Sequence, residues 1–156
     1  MKKIKSIAII SFESKKTDII EWSYFNKELL KPHKILASGF AANILEGTLN
    51  KDISKLEASN AGGNRQMCNL ITDGKIDALI IFGESNEILE SKDLKGVLDA
   101  AIQHNILVAA NRTSADFIIH SSLIESNYTI HLQEKKLTDD KKLLNTSAAY
   151  TLAKAS

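Results

Sequence analysis

The chain has 156 residues, of which 44% are hydrophobic and 25% charged, and its 20 basic and 19 acidic side chains leave a net charge of +1. These values are typical of a single soluble globular domain, and the balanced charge argues against a nucleic-acid-binding or membrane-binding surface. Cys68 is the only cysteine, which excludes a disulfide framework, and with four histidines it argues against a structural zinc site. We therefore expect neither metal nor nucleic acid among the ligands.

The N-terminus resembles a targeting signal only superficially. Lysines surround Ile4, but the apolar stretch that follows is short and ends at Phe12 without a small-residue cleavage site. Apolar runs elsewhere are shorter than the roughly 20 residues that a membrane-spanning helix requires. The sequence thus predicts a cytoplasmic protein with no membrane partner.

Short apolar runs alternate with segments of helical periodicity, which is typical of a parallel sheet covered by helices. The predicted strands cover residues 4–11, 33–38, 77–82 and 106–110, with a short strand around Leu56 and an edge strand over 128–132. The predicted helices cover residues 18–30, 39–45, 62–74, 91–102 and 114–120, and a C-terminal helix begins at Thr138. This order predicts an α/β fold.

Two predicted strand exits suit an anionic ligand, because open parallel sheets bind ligands beyond the carboxyl ends of their strands. Ser38 and Gly39 offer a hydroxyl and a backbone that a ligand can approach closely. Gly62 and Gly63 begin a helix, where free N–H groups and the helix dipole attract negative charge. A glycine before a helix is more often a plain turn, so neither motif is specific alone.

The two arginines both fall in predicted ligand-facing loops, whereas the chain has 18 lysines. Arg65 follows the Gly-Gly turn, and Arg112 follows the strand over 106–110. A planar guanidinium binds phosphate or carboxylate through two parallel hydrogen bonds, which lysine cannot do. Two solvated surface arginines explain the pattern equally well.

Three carboxylates at strand exits are candidates for acid–base chemistry, namely Glu13, Glu84 and Asp93. A carboxylate there could remove a proton next to a carbonyl if a neighbour stabilised the enolate. Asp93 is equally well explained as a helix N-terminal residue. The residues by themselves thus predict an anion-binding α/β domain.

Three segments resemble methylglyoxal synthase: residues 62–66 (GGNRQ), 70–80 (LITDGKIDALI) and 108–119 (VAANRTSADFII). Their order and spacing fit the family, and the resemblance runs from the first strand to about Leu132. It implies a three-layer αβα, Rossmann-like domain with a five-stranded parallel sheet, over residues 1–137. It also implies a homo-oligomer, a hexamer or smaller. The helix over 138–156 is longer than the family's and is expected to pack on the same domain or on a neighbouring subunit.

The resemblance implies a reaction without cofactor, in which dihydroxyacetone phosphate becomes methylglyoxal and inorganic phosphate. A carboxylate removes a C3 proton, an enediolate forms, and phosphate is eliminated. In the family a lysine, strand-exit hydroxyls and backbone N–H groups hold the phosphate. The expected ligand is therefore a small phosphorylated metabolite or inorganic phosphate.

The family's phosphate site carries over in part. Lys16 matches the phosphate lysine, Ser38-Gly39 stands for the family's Thr-Gly, and Ser59 falls in its Ser-Gly-Pro segment. Phe40 and Ala41 replace the hydroxyl residues that follow, so this cradle loses donors. The expected phosphate-binding residues are Lys16, Ser38, Gly39, Ser59, Gly62, Gly63, Arg65 and Arg112.

The catalytic residues depart further from the family's pattern than the phosphate-binding residues do. Asn64 replaces the aspartate proposed as the base, and an amide cannot accept a carbon-bound proton. Phe12-Glu13 replaces a His-Asp pair, and the family's histidine falls near Glu90 or Ser91, whereas Asp93 matches a catalytic carboxylate. The expected catalytic residues are Asn64, Asp93 and Glu13.

Three functions stay open at this point. The chain is a lyase of this type with activity weakened or lost, a non-catalytic sensor of an anionic ligand, or an enzyme for another small phosphorylated substrate. Asp93 would be the surviving base in the first case, and Glu13 or Glu90 a new acid–base group in the third. Fold alone does not decide between them.

Overall fold

An isoleucine-rich strand lies at the centre of a parallel sheet in the computed structural model, which describes residues 3–57 and 62–126. The strands are β1 (Ser6–Ser11), β2 (Lys34–Ser38), β3 (Ser54–Leu56), β4 (Ala78–Phe82) and β5 (Leu107–Ala109). Their order is β3-β2-β1-β4-β5, and every pairing is parallel. All of β4 is buried, as expected for a continuous apolar run with helices on both faces.

Seven helices connect or follow these strands within the described ranges. They are α1 (Lys16–Phe25), α2 (Lys27–Leu30), α3 (Gly39–Leu49), α4 (Gly63–Thr72), α5 (Ser85–Glu90), α6 (Lys92–Gln103) and α7 (Arg112–His120). Short 3-10 turns follow β1 and α7, at Glu13–Lys15 and Ser122–Glu125. None of the helices described is long and apolar enough to cross a membrane.

The helices form the two outer layers of a three-layer αβα domain. One buried cluster joins α1, α2, α3 and α7 to one face of the sheet, around Ile9, Trp22 and Ile80. The other joins α4, α5 and α6 to the opposite face, around Leu79, Met67 and Val97. The predicted fold class and five-stranded parallel sheet are thus confirmed.

The element boundaries differ from the predictions in three places. The helix predicted over 18–30 is interrupted at Asn26, whose side chain donates to the carbonyl of Trp22 at 2.9 Å. Helix α3 continues beyond the predicted end to Leu49, and Asn50 closes it with a φ of 48°. Helix α5 lies where a polar loop was expected, because Glu84 and Glu87 form a reciprocal capping box.

Predictions for three segments lie outside the described residues. They concern the edge strand over 128–132, the C-terminal helix over 138–156, and Ser59.

Trp22 ties α1 to α7 across one outer layer. Its indole Nε1–H donates to Asp116 Oδ1 at 2.8 Å, and Asn26 donates to the same oxygen at 3.2 Å. The indole also packs against Phe82 with ring centroids 5.3 Å apart. These contacts fix the lateral position of α7 against α1.

A buried histidine closes the opposite edge of the sheet, where the strands begin. Its Nδ1 accepts the backbone N–H of Lys5 at 3.0 Å, which requires an unprotonated Nδ1 on His33. Burial lowers the pKa of His33. The charges of Lys51 and Lys5 lower it further, whereas the carboxylates of Glu125 and Asp77 raise it. The folded protein therefore favours the neutral imidazole.

We expect folding stability to fall as the solution is acidified below pH ~6.5, the ordinary pKa of an unfolded histidine. The pKa of His33 is lower in the folded protein than in the unfolded chain. The stability that His33 contributes is therefore complete above the unfolded pKa and is lost as the pH falls through the folded pKa. Losing the buried hydrogen bond costs about 1–3 kcal/mol. Urea unfolding followed by Trp22 fluorescence between pH 7.5 and 5 measures this.

His33→Asn keeps an acceptor for the backbone N–H of Lys5 and removes the titrating imidazole. It should therefore flatten the decline of folding stability at low pH, which we call the acid limb. His120→Asn, on the exposed side of α7, is the matched control and should leave the limb unchanged. A wild-type limb that His33→Asn does not alter would contradict this assignment.

Candidate functional site

The carboxyl ends of all five strands meet at one edge of the sheet, and the helix N-termini there fall into two groups. At α5, α6 and α7 the N-terminus is capped by a side chain that accepts a hydrogen bond from a backbone N–H of the first turn. The capping residues are Glu84, Ser91 and Asn111, respectively. At α1, α3 and α4 the described residues show no such side-chain cap. The preceding 3-10 turn accepts the N–H of Lys16 at the start of α1, so the helix N–H groups that no described side chain caps lie beside β2 and β3.

The turn from β2 into α3 leaves its backbone open. Gly39 has a φ of +59°, and a Cβ there would meet no described atom within 4 Å. Ser38 precedes it as the N-cap residue, half-buried, with its hydroxyl not used by α3 in the described chain. Phe40 is also half-buried and belongs to neither core cluster of the described residues. This turn can thus present N–H groups and a hydroxyl to a ligand.

Lys16 lies on the side of α1 that faces α3. It precedes Ser23 by two turns, so the two residues share one side of the helix. Ser23 Oγ lies 2.7 Å from Thr48 Oγ1 of α3, which identifies that side. Both helices begin at the carboxyl edge, so Lys16 stands near the first turn of α3, with its side chain exposed.

The start of α4 is held against β3. Gln66 Oε1 accepts the backbone N–H of Glu57, the residue after β3, at 2.8 Å. Gly62 has a φ of +105°, which favours glycine, and Gly63 is buried. Arg65 is exposed in the same turn. The predicted Gly-Gly turn is therefore placed at the same edge as Ser38 and Gly39.

A carboxylate that the sequence analysis missed lies beside this turn. Glu57 Oε2 is 3.7 Å from the position of a Cβ on Gly62, at the N-terminus of α4. The exposed Glu57 gave no signal in the sequence, because its contact with Gly62 depends on how β3 leads into α4. It is a further acid–base candidate close to Asn64.

The packing of α4 on α6 brings Asn64 and Asp93 to one place. A Cβ on Gly96 would lie 3.8 Å from Cys68 Sγ, so the two helices touch at these residues. Asn64 lies one turn before Cys68, and Asp93 one turn before Gly96, on the same sides of their helices. Asn64 and Asp93 therefore both lie at the N-terminal end of the α4–α6 contact, with the side chain of Asp93 exposed.

Phe12 occupies the crevice between β1 and β4. A Cβ on Gly83 would lie only 2.7 Å from Phe12 Cδ2 and 3.1 Å from Ile88 Cγ1. A side chain at position 83 would therefore displace the Phe12 ring, and glycine there leaves room for it. The two positions form one packing unit, which turns Phe12 toward α5 and leaves the following Glu13 exposed.

Two polar contacts fasten the turn after β1 to α5. Ser14 Oγ donates to Glu87 Oε1 at 2.5 Å, and Lys15 Nζ lies 3.0 Å from Glu84 Oε1. The hydrogen bond from Ser14 lowers the pKa of Glu87, and the Glu84 carboxylate raises the pKa of Lys15. Glu84 is thus engaged by a lysine and by the α5 cap rather than poised as a base.

Arg112 lies in a different cleft from the turns at Gly39 and Gly62. Its Nη1 is 3.0 Å from Glu21 and 4.0 Å from Asp18, both on α1. The cleft has a volume of about 150 Å³ and lies between the start of α1 and the carboxyl ends of β4 and β5. Strand β5 is three positions from β2, or about 14 Å at ordinary strand spacing. The structure does not bring Arg112 to Ser38.

The predicted site residues thus fall into two clusters. Lys16, Ser38, Gly39, Gly62, Gly63 and Asn64 border the β1–β2–β3 half of the edge, with Asp93 across the α4–α6 interface. Arg112 lies in the other half, and within the described ranges no three His, Cys, Asp or Glu side chains gather as a metal site.

Curated relatives carry the name methylglyoxal synthase. The Photorhabdus laumondii protein is 35% identical over 131 residues, which cover 83% of this chain and 86% of that protein. The Erwinia tasmaniensis protein is 34% identical over 134 residues, covering 85% and 88%. No family model matches the chain.

A solved structure agrees with these relatives. The crystal structure of methylglyoxal synthase from Elizabethkingia anophelis NUHP1 superimposes with a TM-score of 0.72 and 25% identity, over 81% of this chain and 84% of that one. The sequence identity and the coverage extend over most of both proteins. This chain belongs to the methylglyoxal synthase family.

Proposed function

We propose that this protein binds a small phosphorylated metabolite of the dihydroxyacetone phosphate type at the β1–β2–β3 half of its carboxyl edge. The phosphate would lie at the N-termini of α3 and α4, near Lys16. The observation that carries this proposal is the division of helix caps: side chains cap α5, α6 and α7, whereas α3 and α4 begin at glycines. An anion supplies what those N-termini lack.

The geometry supports a division of labour within this site. Gly39 and Gly62 let the backbone approach the phosphate, Ser38 adds a hydroxyl, and Lys16 adds a positive charge from α1. The triose carbons would extend toward Asn64 and Asp93, at the start of the α4–α6 interface. Arg112 is left out of this cradle, because Glu21 and Asp18 hold its guanidinium elsewhere.

We further propose that phosphate elimination is weakened. The step requires a base to remove the C3 proton, and the resemblance to the family places Asn64 at that base. The Asn64 amide can orient the substrate by hydrogen bonding, but it is too weak a base to take the proton. Losing a positioned general base lowers a rate by about 10²–10⁴-fold.

Three carboxylates could restore part of the lost step. Asp93 lies with Asn64 at the N-terminal end of the α4–α6 contact, Glu57 lies beside Gly62, and Glu13 is exposed after β1. Asp93 has the strongest support, because the resemblance already matches it to a catalytic carboxylate. A sensor that binds the same ligand without turnover is the alternative if none of them acts. Assembly into a homo-oligomer, as the resemblance implies, stays part of the proposal.

The first test measures methylglyoxal and phosphate released from dihydroxyacetone phosphate. We expect Asn64→Asp to raise the rate of the wild type by about 10²-fold or more, because it returns a base to the N-terminus of α4. Asn69→Asp makes the same chemical change on an exposed position of α4 and should have no effect. Asp93→Ala should abolish any residual wild-type turnover, and Asp99→Ala on α6 should not.

Two outcomes would contradict this proposal. Wild-type turnover equal to that of a family enzyme assayed in parallel would show that a base has been relocated, and Glu57→Gln, Glu13→Gln and Asp93→Ala would then identify it. No turnover in either the wild type or Asn64→Asp, together with no binding of dihydroxyacetone phosphate, would assign the pocket to a different ligand.

A second prediction concerns the affinity for inorganic phosphate, which can be measured without any turnover. Isothermal titration calorimetry with inorganic phosphate should show at least tenfold weaker binding by Lys16→Met, since a hydrogen bond to a charged group contributes about 1.5–3 kcal/mol. Lys34→Met removes the same charge at the opposite end of β2 and should change the affinity less than about twofold, at constant ionic strength.

Arg112→Met tests the competing phosphate cleft. If its loss weakens phosphate binding more than the loss of Lys16 does, the ligand lies over β4 and β5 and the proposed cradle is wrong. We expect no effect on affinity, because its ion pair with Glu21 already occupies the guanidinium.

A further inference from the structure

One carboxylate oxygen on α5 holds two parts of the molecule together. Glu87 Oε1 accepts the backbone N–H of Glu84 at 2.8 Å and the hydroxyl of Ser14 at 2.5 Å. The first bond belongs to the cap of α5, whereas the second comes from the 3-10 turn that follows β1. The same oxygen therefore fixes the start of a helix and a turn from a distant part of the sequence.

That turn has two further attachments to the end of β4 and the start of α5. The backbone N–H of Phe12 donates to the carbonyl of Phe82 at 2.8 Å. Lys15 Nζ lies 3.0 Å from Glu84 Oε1 at the other end of the turn. Ser14 lies between these two contacts, so the turn is attached at its beginning, its middle and its end.

Helix α5 supports these contacts from the sheet side. Ile88, the residue after Glu87, is buried in the core cluster against which Phe12 packs. The hydrogen bond from Ser14 and that from the Glu84 backbone lower the pKa of Glu87, so the acceptor is a charged carboxylate at neutral pH. Hydrogen bonds to a charged acceptor are stronger than those between neutral groups. The contact from Ser14 therefore joins the turn to a fixed and strong acceptor.

The turn leads directly into α1, whose first residue is Lys16. The backbone N–H of Lys16 donates to the carbonyl of Glu13 and so closes the turn. Glu84 draws Lys15 toward α5, whereas the side chain of Lys16 is exposed. The turn thus separates two successive lysines, of which one is paired with a carboxylate and the other stands near the first turn of α3.

We propose that Ser14 and Glu87 are positioning residues for Lys16 in phosphate binding, an inference that rests on the function proposed above. The Glu87 carboxylate would repel a phosphate at close range, so it acts on the ligand only through the turn. A lysine whose backbone is already fixed loses less conformational freedom when it binds, and its contact with the ligand is stronger as a result.

A double-mutant cycle on the affinity for inorganic phosphate tests this inference. Ser14→Ala removes the hydroxyl from the turn and leaves both partners of the α5 cap in place. We expect isothermal titration calorimetry to show binding at least about threefold weaker, because residues in one network couple in this range. In the Lys16→Met background the same substitution should change the affinity by less than about 1.5-fold, since the lysine that it positions is absent.

Two further variants separate positioning from a general disturbance of the turn. Ser14→Thr keeps a hydroxyl at this position and should restore the wild-type affinity. Ser85→Ala makes the same change on the exposed first residue of α5 and is the matched control, which should bind phosphate as the wild type does.

Hydrogen–deuterium exchange of the full chain, followed by mass spectrometry, measures the turn itself. We expect the amides of residues 13–18 to exchange at least about threefold faster in Ser14→Ala than in the wild type. Glu87→Ala removes both hydrogen bonds, so it should also accelerate exchange at the start of α5. Unchanged exchange of residues 13–18 in Ser14→Ala overturns the inference. The emission of Trp22, which is fully buried, reports whether each variant stays folded.

The same measurements distinguish failure of this inference from failure of the proposed function. If Lys16→Met weakens phosphate binding and Ser14→Ala does not, the positioning role is wrong and the proposed cradle stands. If Ser14→Ala weakens binding equally with and without Lys16, the hydroxyl supports the protein in general and the inference is overturned. If neither substitution changes the affinity, the proposed function is wrong, and the inference falls with it.

Discussion

The parallel pairing of β1 with both β2 and β4 is the constraint on which the rest of the molecule depends. Ile7 and Ile9 turn to one helical layer and Ala8 to the other, and all three are fully buried. Because both neighbours run parallel to β1, every strand ends at the same edge. Five turns from distant parts of the sequence are thereby brought together, and the candidate site consists of side chains from those turns.

The two halves of that edge are built differently. Over β4 and β5 the side chains satisfy one another: Glu84 caps α5 and pairs with Lys15, and Arg112 pairs with Glu21. Such exposed ion pairs contribute little to stability, but they occupy the charges that a ligand would need. Over β2 and β3, helices α3 and α4 begin at Gly39 and Gly63, and the described residues give neither a side-chain cap. The two halves of the edge thus differ in how many of their polar groups the described side chains engage.

The sequence predicted the fold well where the pattern was local. Continuous apolar runs identified β1 and β4, and the spacing of Leu94, Val97 and Ala101 identified α6, each of which the structure confirms. Helix α5 was missed, because its stability comes from a reciprocal cap between Glu84 and Glu87 rather than from apolar periodicity. The break at Asn26 was missed for a related reason: its amide turns back to a backbone carbonyl and to a carboxylate on α7.

Site residues were harder to predict, because their distances depend on packing between elements. The sequence predicts a shared role for Arg65 and Arg112, the two arginines of the chain. In the structure Arg112 pairs with Glu21 and Asp18 of α1, whereas Arg65 lies on α4, which packs on the opposite face of the sheet. The proximity of Glu57 to Gly62, and the contact between Cys68 and Gly96, became visible only in three dimensions.

The contact between Cys68 and Gly96 also determines which residues of α4 and α6 come close together. Gly96 allows α6 to approach α4, so the first turns of both helices, with positions 64 and 93, lie at the same end of the interface. An amide opposite a carboxylate can hydrogen-bond without the repulsion that two carboxylates would suffer there. Under the proposed function, turnover that survives in the wild type would require a carboxylate near Asn64, and the packing of α6 on α4 brings Asp93 to that end of the interface, as the path from β3 into α4 brings Glu57.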